Sequence, residues 1–448
     1  MYIHDLRVSG IKLLRDLHLD FTRDGQPRMW TVLLGENGTC KTTVLQCIGL
    51  AAAGASKANQ LLGSSSSFRA LGRRSGGEIA ANFYLPPDSQ RLIPLLDSTQ
   101  RPSAVTIHSM LRIEEGWNEL KGTASFRGDA LLGVHTAGSL SIPNGDPLVE
   151  IRGRALPRYF TVGYGVSRSL PFPNSTKEPT DVTTDRMRSL FDAEWRLIAT
   201  DFIGKFPQKQ ARAFAATLKE VLVASGLLPN ISDLRLQGRG GVTRPEDLVE
   251  AHRFVESGGS SVPATWLSHG YRSMIAWVAD LVGQLFLDDP EDNPDREPSE
   301  FSGLVLVDEL DLHLHPSWQR RLVSTLKKVF PKLQFIATTH SPIVLAGLEA
   351  DEIIRLKRAP DGGVLAETNT TNPAFLTPTE LLNEFFGFGD EFPSEVGQQM
   401  HEYMVLATNP FRDDEEEQQL DALRAELTAK NATPAIQPTP RKAANEQS

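Results

Sequence analysis

Cysteine is scarce in this chain, with only Cys40 and Cys47 among 448 residues. They stand seven apart in one helix-like run, about 10 Å of rise, too far for a disulfide. A reducing cytoplasm is the natural setting for such usage. No apolar run of about 18 residues occurs, so no membrane span is expected. The N-terminus has no basic stretch followed by an apolar one, so no signal peptide is expected either. Positive charge is also in deficit: 46 Lys and Arg against 56 Asp and Glu give a net charge of −10. A protein that coats nucleic acid non-specifically is usually basic. DNA contact is therefore confined to local basic patches, with Arg69, Arg73 and Arg74, then Arg152, Arg154, Arg158 and Arg168, as candidates beside their reading as solvated surface arginines. Sustained heptads are missing while Gly and Pro recur, which excludes a long coiled coil.

What is present is concentrated in four segments. Gly35-Glu36-Asn37-Gly38-Thr39-Cys40-Lys41-Thr42-Thr43 follows the apolar run Trp30 to Leu34 and opens the helix-like run Lys41 to Ala53. It reads as a phosphate-binding loop, G-x-x-x-x-G-K-[ST], with Cys40 in place of the second glycine. Backbone N–H groups there can wrap phosphate oxygens. Lys41 would reach the β- and γ-phosphates, and the Thr42 hydroxyl would ligate Mg²⁺. The second segment, Gly303 to Val307, ends in Asp308 and Glu309. It predicts a buried parallel strand with carboxylates at its C-terminal end, where ligand sites of open α/β sheets lie. Asp308 would hold the metal, and Glu309 would polarise the attacking water. The third, Leu333 to Thr338, carries Thr339 and His340 at its tip, where a histidine can contact a γ-phosphate, its other reading being a histidine in a surface turn. In the fourth, Ser268 is a plausible N-cap for an amphipathic helix over Met274 to Phe286, and that helix start is a second anion site.

Together these residues resemble the ABC-type ATPases of the soluble branch that holds RecF, the SMC proteins and the OLD-like ATPases. Leu267-Ser268-His269-Gly270-Tyr271 matches that family's signature, usually LSGGQ, with His269 and Tyr271 as departures. Asp308 and Glu309 match Walker B, His313 to Pro316 the D-loop, and His340 the switch histidine. Asp308 to Pro316 looks especially like ATPases of bacterial anti-phage systems, such as the ATPase subunit of Septu, and overcoming-lysogenization-type proteins. No glutamine stands after Gly163-Tyr164-Gly165, where the family places its Q-loop. The resemblance implies catalytic roles for Glu309 and His340 and a metal held by Thr42 and Asp308. It implies nucleotide contacts from Gly35, Asn37, Gly38, Thr39, Cys40, Lys41, Thr42 and Thr43. Ser268, His269 and Gly270 would act in trans on a second chain's nucleotide.

The expected fold class is α/β: an ABC-type P-loop core with a mixed sheet, an antiparallel β lobe and a short helical insert, without a long coiled coil. Residues 1–165 form the N-terminal ATPase lobe with its β subdomain, opening on a half-buried hairpin over Met1 to Phe21. Residues 63–72 and 171–183 read as loops. Residues 166–262 form a helical insert, and 263–358 the C-terminal lobe with signature, Walker B and switch histidine. Residues 359–410 form a helical extension, and 411–448 a mostly disordered polar tail with one short helix at Glu415 to Ala429. The acidic runs Asp288 to Asp295 and Asp413 to Glu417 are expected to be exposed and mobile. ATP and Mg²⁺ are the implied cofactors, and a homodimer or higher homo-oligomer the implied assembly, with no membrane. The leading function is ATP hydrolysis that regulates a partner nuclease or toxin in anti-phage defence. The alternative is a RecF/SMC-like repair or recombination ATPase. A transporter subunit fits less well, given the altered signature, the missing Q-loop glutamine and the large insert.

Overall fold

The computed structural model describes residues 1–62, 76–85, 105–113, 120–127, 160–170, 181–237, 248–288, 296–386, 395–430, 432, 434 and 436–441. Arg69, Arg73, Arg74, Arg152, Arg154 and Arg158, the loops expected at 63–72 and 171–180, the acidic stretch 289–295 and the end of the tail at 442–448 lie outside the described residues. Two compact units are present, Met1–Leu381 and Leu382–Ser448.

The first unit is built on two large sheets, with smaller three- and two-stranded ones beside them. In chain order its strands are β1 (Tyr2–Ile11), β2 (Leu14–Asp20), β3 (Thr22–Arg23), β4 (Gln26–Pro27), β5 (Trp30–Leu34), β6 (Gly77–Leu85), β7 (Val105–Ile113), β8 (Leu120–Arg127) and β9 (Thr161–Tyr164). They continue with β10 (Ile231–Arg235), β11 (Arg253–Glu256), β12 (Ser261–Pro263), β13 (Gly303–Val307), β14 (Leu333–Thr338), β15 (Ile353–Arg358) and β16 (Val364–Thr368). The six-stranded sheet runs β16-β15-β5-β14-β13-β9, parallel throughout except for β16. Every residue of β5, β9, β13 and β14 is buried, as strands covered on both faces should be. Trp30 stacks on Phe335 at 4.5 Å where β5 meets β14. The five-stranded sheet is antiparallel, β2-β1-β6-β7-β8. Its β1–β2 hairpin turns through Lys12, whose φ of 51° is left-handed.

Helix α1 (Lys41–Ala53) fills the space between the two sheets. Eleven of its thirteen residues are buried, so it has no polar face to speak of. One core cluster joins Leu33, Leu304, Leu306 and Ile336 of the parallel sheet to Val44, Leu45 and Ile48 of α1, and on to Leu6, Val8, Ile79 and Phe83 of the antiparallel sheet. After α2 (Ala55–Leu62), α3 (Val182–Arg188) starts on Asp181, which accepts from the Thr183 and Thr184 N–H groups. Helix α4 (Gln208–Lys219) follows and runs into a π turn, Glu220–Ala224. Residues 166–262 are not purely helical: β10, β11 and β12 make a three-stranded antiparallel sheet there, beside the short α5 (Leu248–Ala251). Strands of three to five residues are too short for alternation to stand out in sequence. Helix α6 (His269–Leu287) carries the signature at its start and buries fifteen of its nineteen residues. Helix α7 (Pro316–Val329) lies between β13 and β14.

Three further expectations change. Asp288 is not part of an exposed run; it pairs with Arg186 at 2.7 Å, and burial pushes its carboxyl up to about 6 despite that partner. Residues 359–410 are not wholly helical, since β16 completes the main sheet before α8 (Pro378–Phe386). In the second unit, the described residues of 411–441 are not a disordered tail: the helix expected at Glu415 to Ala429 is present and belongs to a packed pair. Helix α9 (Glu395–Thr408) packs on α10 (Asp414–Ala429) through Tyr403, Ala407, Leu420, Leu423 and Leu427. The acidic run there is the start of α10: Asp413 caps it and Glu416 answers in a capping box. Four acids in the first turn of a helix lie at the favourable end of its dipole. Among the described residues, no helix is long and apolar enough to cross a membrane.

Candidate functional site

The C-terminal ends of β5, β13, β14 and β15 face one cleft of about 620 Å³, lined by Lys12, Leu13, Asn37, Gly38, Cys40, Lys41, Thr42, Thr43, Asp308, Glu309, Thr338, His340 and Arg358. The volume lies in the range of small-molecule sites. The loop between β5 and α1 supplies its floor. Gly35 has no room for a side chain: a Cβ would meet the Leu356 carbonyl oxygen at 2.4 Å and Thr39 Oγ1 at 2.6 Å. Thr39 is buried and donates to the Glu36 carbonyl at 2.8 Å, closing the loop. Gly35 and Thr39 thus shape the loop from beneath, whereas Asn37, Gly38, Cys40, Lys41, Thr42 and Thr43 line the cleft. Cys40 sits at the N-cap of α1 with φ 65° and ψ 24°, the left-handed conformation that glycine adopts freely. Lys41 folds back to donate to the Gly35 and Glu36 carbonyls at 2.7 and 3.0 Å. Burial lowers its pKa, with Asp308 and Glu309 pulling the other way.

Across the cleft, Asp308 gathers three segments. Its Oδ2 accepts from Thr42 Oγ1 at 2.7 Å, and its Oδ1 from Thr338 Oγ1 at 2.6 Å. Thr338 Oγ1 accepts in turn from the Glu309 N–H at 2.7 Å. Glu309 has φ 47°, again left-handed, which turns the chain out of β13 and leaves its side chain at the cleft. Asp311 fixes the tip of β14: its Oδ1 accepts from Thr339 Oγ1 and, at 3.3 Å, from the His340 N–H. The His340 ring is exposed at the cleft. Thr42 and Asp308 offer hard oxygen donors side by side, the donor type that Mg²⁺ takes. These residues fit a nucleotide phosphate chain with its divalent ion.

Three basic side chains at the site escape a motif reading. Lys12, in the β1–β2 turn, donates to Thr43 Oγ1 at 3.0 Å. Arg358, at the end of β15, stands over Gly38. Arg168, a candidate for a surface DNA patch, is instead only 3% exposed, and its Nη2 donates to the Glu309 carbonyl at 2.5 Å. Burial brings its guanidinium pKa down to about 10, against the pull of Asp308, Asp311 and Glu309. Its position in sequence, just after β9, was the one available signal.

The signature residues Ser268, His269 and Gly270 do not line this cleft. Ser268 is the N-cap residue of α6, and it and His269 are exposed. Gly270 is buried against the His313 backbone, and the His269 ring lies 4.1 Å from that of His313. Tyr271 is structural: its hydroxyl donates to the Pro229 carbonyl and its ring meets Trp318 edge-on at 4.3 Å. His315 caps α7, its Nδ1 accepting from the Ser317 N–H at 3.3 Å.

Residues 165–346 match the family described as "AAA domain, putative AbiEii toxin, Type IV TA system". The Septu protein PtuA of Bacillus mycoides (strain KBAB4) is 24% identical over 429 residues, 95% of this chain and 50% of that protein. The Retron Ec83 probable ATPase of Escherichia coli is 38% identical over 189 residues, 39% of this chain and 32% of that one. The chain thus spans half or less of the length of these relatives. A solved SMC head bound to the C-winged helix domain of ScpA aligns with a TM-score of 0.48 at 17% identity, over 84% of this chain and 99% of that one. The chain is thus similar to the Septu protein PtuA and to a retron's probable ATPase.

Proposed function

We propose that this chain binds and hydrolyses ATP with Mg²⁺, dimerises around the nucleotide, and through that cycle regulates a partner nuclease or toxin in bacterial anti-phage defence. The observation that carries the reading is the bond between Thr42 and Asp308, which joins the phosphate loop to the β13 carboxylates at the mouth of a nucleotide-sized cleft. Lys41 exchanges the Gly35 and Glu36 carbonyls for phosphate oxygens. Thr42 and Asp308 would hold Mg²⁺, which when bound would supply charge neutralisation at the phosphates. Glu309 orients and polarises the attacking water, and His340 contacts the γ-phosphate. Ser268, His269 and Gly270, outside their own chain's cleft, cap the γ-phosphate held by a second chain. Two nucleotides then bridge two chains across a two-fold axis, and hydrolysis loosens the pair.

The test is Glu309→Gln with ATP and Mg²⁺, followed by sedimentation. The variant should accumulate as a nucleotide-bound dimer; equal monomer content with and without ATP would sink the clamp. Purification of the tagged chain from its host then addresses the partner. A nuclease or toxin at fixed stoichiometry supports the defence role, whereas salt-sensitive DNA without a protein partner points to a repair ATPase.

A further inference from the structure

Arg168 is a buried charge that the fold leaves half satisfied. Its Nη2 holds the Glu309 carbonyl, while Nε and Nη1 are shut off from solvent with no hydrogen-bond partner among the described residues. Unmade bonds on a buried guanidinium are costly, so stability alone gives no reason for this side chain. The carbonyl it holds belongs to the left-handed residue at the end of β13. On the other side of that turn, the Glu309 N–H is tied to Thr338 Oγ1 and the Leu310 N–H to the Thr338 carbonyl at 2.8 Å. The turn is thus clamped from β14 at its amide side and by Arg168 at its carbonyl side. The segment that carries Arg168 also reaches the signature helix. Tyr164 gives its carbonyl to the Asp308 N–H at 2.8 Å and donates its hydroxyl to Asp280, midway along α6, at 3.1 Å.

We propose that Arg168 is the positioning residue of this turn: its guanidinium sets the direction of the Glu309 carboxylate and links it, through residues 164–168, to the helix that bears the signature. The role rests on the ATPase reading above. It is filled by an arginine in the stretch where the sequence offers no glutamine.

The full chain carrying Arg168→Met, similar in length without the charge, and Arg168→Lys separate this from a structural role. Melting, affinity for a fluorescent ATP analogue, and Mg²⁺-dependent ATP turnover are measured for each. Arg168→Met should melt no lower than wild type, bind nucleotide within about twofold, and turn over roughly 10²-fold more slowly at nearly unchanged KM. Arg168→Lys, which keeps a donor without the planar fork, should recover about tenfold of that loss. Wild-type kcat in Arg168→Met, or a raised KM at constant kcat, overturns the proposal. Should Arg168→Met fail to fold, Arg168→Lys decides: slowed turnover supports the role and wild-type turnover overturns it. Failure of both to fold assigns Arg168 to stability and overturns it too. A wild-type chain without ATP turnover defeats the ATPase reading itself, and the positioning role with it.

Discussion

Gly270 and His313 approach so closely that a Cβ on Gly270 would lie 2.4 Å from the His313 carbonyl oxygen. The contact seats the first turn of the signature helix on the turn that follows the β13 carboxylates, and His313 itself has φ 63°. A clash with backbone cannot be relieved by a rotamer change. Gly270→Ala should therefore push the two segments apart, at a cost of about 1–3 kcal/mol. Nucleotide affinity of the isolated chain should stay near wild type, since Gly270 is outside the cleft. ATP-dependent dimer, read by light scattering, should be lost. A variant that dimerises normally would show that this seating is dispensable.

Cys40 is held in a left-handed conformation that costs an L-residue about 1–2 kcal/mol. Cys40→Gly should relieve most of that, offset in part by the greater freedom of glycine in the unfolded chain. The melting temperature should rise by the order of 2 °C, with nucleotide binding retained. Cys40→Val, β-branched, should move both in the opposite direction. A fall in melting temperature for Cys40→Gly would mean that the thiol contributes packing worth more than the strain.

The Thr42 hydroxyl and Asp308 carboxylate are 2.7 Å apart, poised for one shared ion. ATP affinity of the wild-type chain should increase with Mg²⁺ and fall when the ion is chelated. Thr42→Val keeps the side-chain shape and removes the oxygen. Calorimetric titration should show weak binding that no longer depends on Mg²⁺. Full Mg²⁺ dependence in that variant would place the ion elsewhere.

The parts of this site that sequence reveals are those built on two-sided strands. Trp30 to Leu34, Gly303 to Val307 and Leu333 to Thr338 are largely apolar runs because both faces are covered, so the change of residue type just after each run is conspicuous. Those ends carry the phosphate loop, Asp308 with Glu309, and His340. The rest depends on distant pairing that no local pattern encodes. Arg168 looks like any surface arginine until β9 is placed beside β13. Lys12 reaches Thr43 only because the hairpin turn comes over the start of α1. Asp288 reads as the start of an acidic run, but its partner Arg186 lies on α3. Asp311 reads as a spacer between motifs, yet it holds both Thr339 and the His340 amide.

Asp280 offers a test of the buried network behind the signature helix by pH. Its carboxylate accepts from the Ile198 and Ala199 N–H groups at 2.9 and 3.2 Å and from the Tyr164 hydroxyl at 3.1 Å. Burial nevertheless wins and pushes the carboxyl up to about 6. In the unfolded chain it ionises near about 3.9. Between those values the folded state holds the proton more tightly. This group's stabilisation is therefore fully present below pH ~4 and is lost as pH rises through ~6, in total about 3 kcal/mol. Asp280→Asn carries no proton to lose. Urea denaturation should find it ahead of wild type by a gap that is widest above pH ~7 and closes toward pH ~4. A gap that stays constant across that range would mean that Asp280 stays ionised in the fold, and that its three donors outweigh the loss of water.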